Sequence, residues 1–480
     1  MTTLDRAPAV PPVVARSRFL FPIVSAGAVF QAVLQTVIVP LLPELPHFTG
    51  ASRTAVSWLV TVTLLVGAVV TPIFGRLADM FGKKKMLMVA FFLMTLGSML
   101  CAVSSNISVL IFARALQGAG AAVIPIGISL LRDELPRNKV NGAVAMMSST
   151  LGVGTALGIP FSAMIAQYSN WHVLFWITTA IGLSVTLAAG LFIRESEVSP
   201  SGRFDGVGAV GLSAALVLLL VPMTQGSSWG WASGSVISML LSSALLFTLW
   251  VFQQRRNVNP LVDVRALVKR AVLIPHIAAL LVGFAFFGNT LITTQLLQGA
   301  QGPGAGYGLT IIAAALCQIP ASIAMVLFSP VAVRITDRFG SRTAMLTGAA
   351  FLAGGYGIHA VAGKPLWGVV VALFITAIGT AIVYSTLSLL ILVAVPRQRL
   401  AAANGVNSLL RTSGSTLCSA TVATILAAYV VAGSEHSTSW AGFAVAYLVC
   451  AACAVVVFGV SFLLPQGRTS IDIELPELRI

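Results

Sequence analysis

The side chains that could carry a proton are few, and nearly all of them stand at the ends of apolar segments. The chain has 14 Asp and Glu residues and 5 His residues. Every acid falls in a predicted tail, loop or segment end, and none lies clearly in the middle of an apolar run. Proton exchange in an apolar setting normally uses a desolvated carboxylate or a histidine. The candidates, for each of which an interfacial structural role is the alternative, are Glu44, Asp79, Asp133, Glu134, His276 and His359.

Two arginines, Arg114 and Arg411, fall inside long apolar segments. An arginine in hydrocarbon costs at least ~2.5–3.5 kcal/mol, so each side chain should face a cavity or a polar partner. For Arg114 the alternative is a side chain that extends toward the membrane surface. Arg411 could bind helix-end carbonyls as readily as a substrate.

Metal or enzymatic chemistry finds no support in the residue spacing. The His residues are scattered, and no Ser/His/Asp or metal-ligand spacing occurs. Cys450 and Cys453 form a CxxC pair, but its neighbours are Ala and Val and no second pair exists. We interpret both as packing residues. We therefore predict no cofactor, no metal site and no enzyme activity.

The elements that carry these residues are predicted to be membrane helices. The chain is 57% hydrophobic and 9% charged, whereas soluble domains carry roughly 25% charged residues. A helix needs about 20 apolar residues to cross about 30 Å of hydrocarbon, and the sequence offers fourteen such segments. They are residues 19–42, 54–75, 85–104, 107–131, 140–166, 171–193, 206–224, 234–253, 271–295, 306–332, 343–363, 366–393, 401–430 and 440–464.

The positions of the basic residues predict the orientation of these helices. Lys and Arg favour cytoplasmic loops, and here they concentrate on one side of the predicted membrane. Only Arg53 and Lys364 fall in loops on the other side. We therefore predict cytoplasmic N and C termini. The net charge of +14 is explained by this asymmetry, so we predict no nucleic-acid partner.

An internal repeat divides the chain. The segments 75–84 (GRLADMFGKK) and 333–342 (VRITDRFGSR) share the pattern x-Arg-apolar-x-Asp-x-Phe-Gly-x-basic, and Asn-Gly recurs at 141–142 and 404–405. Such repeats are typical of transporters built from two related halves. We predict a cytoplasmic tail (1–18), a six-helix bundle (19–193), a linker with two extra helices (194–270), a second six-helix bundle (271–464) and a C-terminal tail (465–480).

Several segments resemble one family of transporters. GRLADMFGKKK (75–85), ARALQGAGAAVIP (113–125), FDGVGAVGL (204–212), TQGSSWGWAS (224–233), NPLVDVRAL (259–267) and LLRTSGSTL (409–417) are similar to motifs of the major facilitator superfamily, in its fourteen-spanner drug:proton antiporter branch. The resemblance implies an all-α polytopic membrane protein with two six-helix bundles and two additional transmembrane helices. It implies a multi-pass protein of the cell membrane that confers antibiotic resistance by export.

The resemblance also implies roles for particular residues. A latch that holds the two halves together on the cytoplasmic side would comprise Gly75, Arg76, Asp79, Gly82, Lys83, Asp337 and Arg338. A solvated turn that bends at Gly82 is the alternative. Proton coupling would involve Arg114, with Glu44 and Asp133 as candidate acids. Close helix packing would use the antiporter motif Gly152, Gly154, Gly158 and Pro160, although Ile159 separates the last two and Gln35 stands where the branch usually has an Asp.

Polar and aromatic residues on predicted inward faces suggest the binding surface. Transporters of this kind bind substrate between the halves, near the midplane. The candidates are Gln31, Gln35, Gln117, Phe286, Asn289, Gln295, Tyr384 and Arg411. We expect a net positive, hydrogen-bonding cavity that prefers neutral or anionic lipophilic molecules.

Two functions remain open from the sequence. The first is a monomeric exporter of lipophilic drugs or antibiotics that works by alternating access and is coupled to protons. The second is an exporter or flippase of an endogenous lipid or secondary metabolite with atypical or no proton coupling, which the lack of mid-membrane acids favours.

Overall fold

The fold is built from long helices. The computed structural model describes residues 19–42, 45–195, 203–299, 301, 305–361, 365–396, 399–431 and 438–464. Within these ranges the only extended pairing is an isolated bridge between Val430 and Thr438. In chain order the helices are α1 (Leu20–Thr36), α2 (Leu45–Thr49), α3 (Arg53–Phe81), α4 (Lys83–Val103), α5 (Ile107–Gly118), α6 (Val123–Glu134), α7 (Arg137–Tyr168), α8 (Trp171–Phe192), α9 (Gly206–Trp229), α10 (Gly234–Arg256), α11 (Val264–Leu267), α12 (Arg270–Gln298), α13 (Ile311–Phe339), α14 (Ser341–Val361), α15 (Leu366–Ala394), α16 (Leu400–Ala428) and α17 (Trp440–Ser461).

Each of the fourteen predicted membrane segments corresponds to helix. By length and composition, 13 helices in the described ranges can cross a membrane, with α5 and α6 counted as one span, Ile107–Glu134. A 3-10 turn, Ala119–Ala122, joins these two helices. The remaining segment is α16, which has 29 residues but carries Asn404, Asn407 and Arg411 and is therefore less apolar.

Two helices run further than the sequence predicted. The second span was expected to end at residue 75 and the tenth at 332, but α3 continues to Phe81 and α13 to Phe339. Most of each repeated motif is therefore helix rather than loop. The chain turns only at Gly82 (φ +115°) and Gly340 (φ +87°), in a backbone region that other residues rarely adopt. The chain thus turns at Gly82, as the alternative to the latch assumed.

The helix contacts repeat between the two parts of the chain. In the first part α7 packs on α1, α8 on α4, and α5 on α3. In the second part α16 packs on α12, α17 on α14, and α15 on α13. The two parts meet along two seams, α3 with α16 and α7 with α13, which this repeat makes equivalent to each other. The residue boundaries of the halves stay a prediction.

The two extra helices lie across one of these seams. α9 contacts both α3 and α16, and α10 packs on α9. Ala209, Leu212 and Leu216 of α9 share an apolar cluster with Ala68 of α3 and Val406 of α16. The α3–α16 seam is therefore covered from outside.

Candidate functional site

A cavity lies beside the seam between α7 and α13. It encloses about 410 Å³ of empty space between atoms, part of which opens to solvent. Its walls come from α12, α13 and α15, with one residue from α7, and no charged side chain lines it. The lining residues are Gly152, Phe286, Asn289, Thr290, Gln318, Ala321, Ser322, Met325, Leu373, Ala377 and Thr380.

Two of the predicted binding residues, Phe286 and Asn289, line this cavity. The Asn289 amide nitrogen donates to Thr376 Oγ1 at 3.1 Å, and its enclosed Oδ1 has no hydrogen-bond partner among the residues that the structure describes. Sequence reasoning missed Gln318 and Ser322. Their spacing of four residues on α13 is the same signal that selected Gln31 and Gln35 on α1.

An aromatic pair leads from the cavity wall to Arg411. The ring centroids of Phe286 and Tyr384 are 5.6 Å apart. The Arg411 guanidinium carbon lies 5.0 Å from the centroid of the Tyr384 ring, and its Nη2 donates to Ser408 Oγ at 3.3 Å. A cation over an aromatic face is stabilised by the ring quadrupole. Arg411 therefore stands behind the cavity wall, with Tyr384 between it and Phe286.

Arg114 is almost completely enclosed, with 1% of its surface exposed. Its Nη1 donates to the backbone oxygen of Leu34 at 2.8 Å and to Gln117 Oε1 at 2.6 Å. Its Nε donates to the Leu59 oxygen at 3.2 Å. Because α1 ends at Thr36, the Leu34 carbonyl is among the last four, which lack partners within the helix. The arginine therefore caps the C-terminus of α1, where a positive charge is favourable.

Gln117 extends this network to α4. Its amide nitrogen donates to Ser98 Oγ at 3.1 Å, while its oxygen accepts from Arg114. Thr63 Oγ1 donates to the Arg114 carbonyl oxygen at 3.1 Å. Gln117 is therefore a structural partner of Arg114 in this structure and does not line the cavity.

The other predicted binding residues lie apart from the cavity. Gln31 is buried and its Oε1 has no hydrogen-bond partner in the described residues. Gln35 is half-buried, and Gln295 is exposed. None of the three is part of the cavity lining.

The latch residues of the first motif join α3 to α16. Asp79 Oδ2 accepts a hydrogen bond from the backbone N–H of Ala402 at 3.1 Å. A Cβ on Gly75 would lie 2.6 Å from the Ala401 oxygen, and one on Gly405 would lie 2.9 Å from the Thr71 oxygen. Glycine at both positions therefore allows the two backbones to approach. This end of the helix bundle, which we name the basic end, carries Lys83, Arg132 and Arg338.

The neighbouring charges at the basic end make contacts both within the first part of the chain and across to the second. Lys83, at the start of α4, forms an ion pair with Asp133 near the end of α6. Arg76 is buried, 7% exposed. Arg132 Nη1 crosses to the second part and donates to the Val395 oxygen at 3.0 Å. The predicted acid Asp133 is thus a partner of the predicted latch residue Lys83.

The second copy of the motif makes a weaker contact. Asp337 is exposed, and its Oδ1 accepts from the side chain of Asn141 on α7 at 3.4 Å. The Arg338 guanidinium carbon lies 5.3 Å from the ring centroid of Phe339 on its own helix. Both seams are therefore bridged by the motif aspartate, but by a backbone bond at α16 and by a side chain at α7.

Comparison with known proteins assigns a family. The family model described as Major Facilitator Superfamily matches residues 24–321, which is more than half of the chain. The chain belongs to the major facilitator superfamily. It is therefore a multi-pass membrane transporter and not an enzyme, as the sequence predicted.

Relatives of this transporter are named for drug resistance and antibiotic export. It is 27% identical over 428 residues to "Multidrug resistance protein Stp" of Mycobacterium tuberculosis (strain CDC 1551 / Oshkosh), covering 88% of this chain and 78% of the relative. It is 26% identical over 453 residues to "Probable actinorhodin transporter" of Streptomyces coelicolor, covering 91% and 76%. These relatives confirm the multidrug efflux type of the family.

Solved structures show the same fold at low identity. The human organic anion transporter MFSD10 (TETRAN) superposes with a TM-score of 0.67 at 14% identity, covering 94% of this chain and all (100%) of that one. The proton:xylose symporter XylE gives 0.66 at 13% identity, covering 94% and 96%. The predicted all-α major facilitator fold is thereby confirmed.

The glycines of the predicted antiporter motif place α7 between its neighbours. A Cβ on Gly152 would lie 2.7 Å from Met325 Cβ on α13. A Cβ on Gly154 would overlap Ala32, and one on Gly158 would overlap the Thr36 hydroxyl, both on α1. Pro160 lies inside α7 two residues further on. In this transporter the motif therefore brings α7 into close contact with both halves.

The remaining candidates for proton chemistry lie outside this cavity. Glu44 is not among the residues that the structure describes. His276 and His359 are buried, and their ring nitrogens have no hydrogen-bond partner in the described residues. The His359 ring stacks on Tyr447, with centroids 4.3 Å apart. Each of the described acids stands near a helix end.

Proposed function

We propose that this protein exports lipophilic, uncharged compounds by alternating access in antiport with protons, as a monomer in the cell membrane. The observation that carries the proposal is the uncharged cavity beside the α7–α13 seam. A cavity beside the seam of two halves that rock against each other can be exposed to either side in turn. Relatives named for multidrug resistance and antibiotic export support the choice of cargo.

The proposed coupling operates at the basic end. Asp79 bonds to the first turn of α16 across the seam, and a carboxylate is most stabilising at a helix N-terminus while it is ionised. Uptake of a proton by Asp79 weakens this contact and favours separation of α3 from α16. Lys83 and Asp133, paired nearby, respond to the same proton through their charges.

Arg114 has a supporting role in this proposal. Its hydrogen bonds to Leu34, Leu59 and Gln117 engage both ends of the guanidinium group. It fixes α1, α3 and α5 relative to one another, so that the first half moves as one body.

A second function is favoured by the distribution of the acids. None of the carboxylates in the described ranges stands in the middle of a span, and Arg114 is held by carbonyl and amide oxygens instead of a carboxylate. An exporter or flippase of an endogenous lipid or secondary metabolite, without proton coupling, needs no such acid.

Proteoliposomes separate the two functions. The purified protein is reconstituted, a pH gradient is imposed, and movement of the neutral lipophilic dye Nile red is followed by fluorescence, with an ionophore and protein-free vesicles as controls. We expect dye movement that the gradient drives and the ionophore abolishes. Movement of a labelled lipid at the same rate with and without the pH gradient would support the second function. No movement of any lipophilic compound would contradict both.

A further inference from the structure

The three hydroxyl groups on the cavity lining can act toward a bound compound only as hydrogen-bond acceptors. The hydroxyls of Thr290, Ser322 and Thr380 each donate to the carbonyl oxygen four residues earlier in their own helix, at 3.4, 3.3 and 2.9 Å. A hydroxyl has one proton and two lone pairs. Once that proton is used within the helix, the group can only accept a further hydrogen bond.

The two amides on the lining are oriented in the same sense. Gln318 Nε2 donates to Thr294 Oγ1 at 3.4 Å, and Asn289 Nδ2 donates to Thr376 Oγ1 at 3.1 Å. Thr376 in turn donates to backbone oxygens of its own helix, so its oxygen must accept from Asn289. Each amide nitrogen keeps a second N–H, but the three hydroxyl oxygens and both amide oxygens can accept, so acceptors outnumber free donors on the lining. Among the described residues, Asn289 Oδ1 has no hydrogen-bond partner.

An enclosed acceptor without a partner has lost its hydrogen bond to water and gained none in return, which is unfavourable. A compound that brings an O–H or N–H group to Asn289 recovers that cost, whereas an ether of the same shape leaves it in place. Charge offers no comparable gain, because no charged side chain is among the lining residues and Arg411 is held against Tyr384. The lining therefore favours compounds that carry hydrogen-bond donors.

We propose that the cavity selects uncharged apolar compounds that carry hydroxyl or N–H donors. This inference rests on the proposed function and names its cargo class. The sequence analysis expected a net positive cavity that prefers neutral or anionic molecules. Because the lining has no charge, the inference restricts the expected cargo to neutral compounds. Neutral compounds bearing donors are favoured over anions and over fully alkylated analogues.

A pair of compounds that differ only in their donors tests the inference. Bisphenol A and its dimethyl ether share one apolar framework, and both are uncharged at neutral pH because phenols ionise near pH 10. Binding of each radiolabelled compound to the purified full-length protein is measured by scintillation proximity. One net hydrogen bond is worth about 0.5–1.5 kcal/mol, so we expect the phenol to bind about two- to thirteenfold more tightly. The Asn289→Leu variant should remove most of this difference.

Two threonines of α15 provide a matched control. Thr380 lines the cavity, whereas Thr386 is equally bonded within the helix, is fully buried and does not line it. We expect Thr380→Val to lower the preference for the phenol and Thr386→Val to leave it unchanged. Equal binding of phenol and ether, no binding of either, or an unaltered preference in Asn289→Leu would overturn the inference.

The outcomes also separate this inference from the proposed function. A preference for donors that depends on Asn289, without any export of Nile red, would preserve the binding site and contradict the exporter. Export of the dye together with equal binding of phenol and ether would preserve the exporter and contradict the selection by donors.

Discussion

Asp79, near the end of α3, bonds through its carboxylate to the backbone N–H of Ala402 in the first turn of α16. The two residues come from different halves of the chain. Because α16 begins at Leu400, this N–H is one of the four that have no acceptor within the helix. Asp79 of one half thus supplies a hydrogen-bond acceptor to the first turn of a helix in the other half. This bond can form only while α3 and α16 are in contact at the basic end.

Replacing Asp79 by Asn should loosen this end. The substitution keeps the shape of the side chain but removes the charge that favours the helix N-terminus, a loss of about 1–2 kcal/mol in a partly buried setting. We expect faster hydrogen exchange at the start of α16, measured by mass spectrometry. Asp337→Asn is the control, since Asp337 is exposed and contacts α7 instead. Unchanged exchange in Asp79→Asn would contradict the latch.

Replacing Arg114 by Lys should reduce stability although it keeps the positive charge. A lysine has one ammonium group and cannot reproduce the planar fork that reaches Leu34, Leu59 and Gln117 together. Each charge-assisted hydrogen bond is worth about 1.5–3 kcal/mol, so we expect a melting temperature several degrees lower. Arg338→Lys, at an exposed position, should leave it unchanged. Wild-type stability of Arg114→Lys would show that the three bonds contribute little.

Alanine at two glycines of α7 should have opposite effects. At Gly154 the added methyl group overlaps Ala32 of α1, and such overpacking typically costs about 1–3 kcal/mol. At Gly142 nothing lies within 4 Å, and alanine is the better helix former by about 1 kcal/mol. Thermal unfolding in detergent should therefore show a lower midpoint for Gly154→Ala and an equal or higher one for Gly142→Ala. Equal midpoints would mean that α1 and α7 are not in close contact.

Acid should release the start of α9. Burial raises the pKa of Asp205, but hydrogen bonds from the Gly208 N–H and from the side chains of Gln254 and Gln253 lower it by a larger amount. The net pKa of Asp205 therefore lies below its ordinary value. A depressed folded-state pKa contributes stability above the unfolded value, about 3.9, and loses it as the pH falls through the folded value. Below about pH 4, we expect the backbone amides of residues 205–212 to lose protection from hydrogen exchange.

The uncharged cap of α10 is an internal control for this pH effect. Ser233 accepts from the Val236 N–H at the start of α10 and does not ionise in this range, so protection there should be independent of pH. Asp205→Asn should remove the pH dependence at α9. A pH dependence that survives in this variant would assign it to another group.

The number and order of the helices could be predicted from the sequence because hydrophobic length is a local property. An apolar run of some twenty residues satisfies its backbone hydrogen bonds within itself, whatever packs beside it. The same holds for the bend at Gly82 and for the repeat between residues 75–84 and 333–342. The ends of α3 and α13 were not predicted, and both lie where the halves meet, through Asp79 with Ala402 and Asp337 with Asn141.

The partners of polar side chains were decided by the tertiary structure. The sequence required a partner for Arg114 but not the free carbonyl of Leu34, which depends on where α1 ends and how α5 crosses it. It gave Asn289 and Phe286 as candidates but could not exclude Gln295, because a small rotation of α12 changes the face a residue presents. A polar group that is buried must form a hydrogen bond. Its partner depends on which backbone groups the packing leaves free.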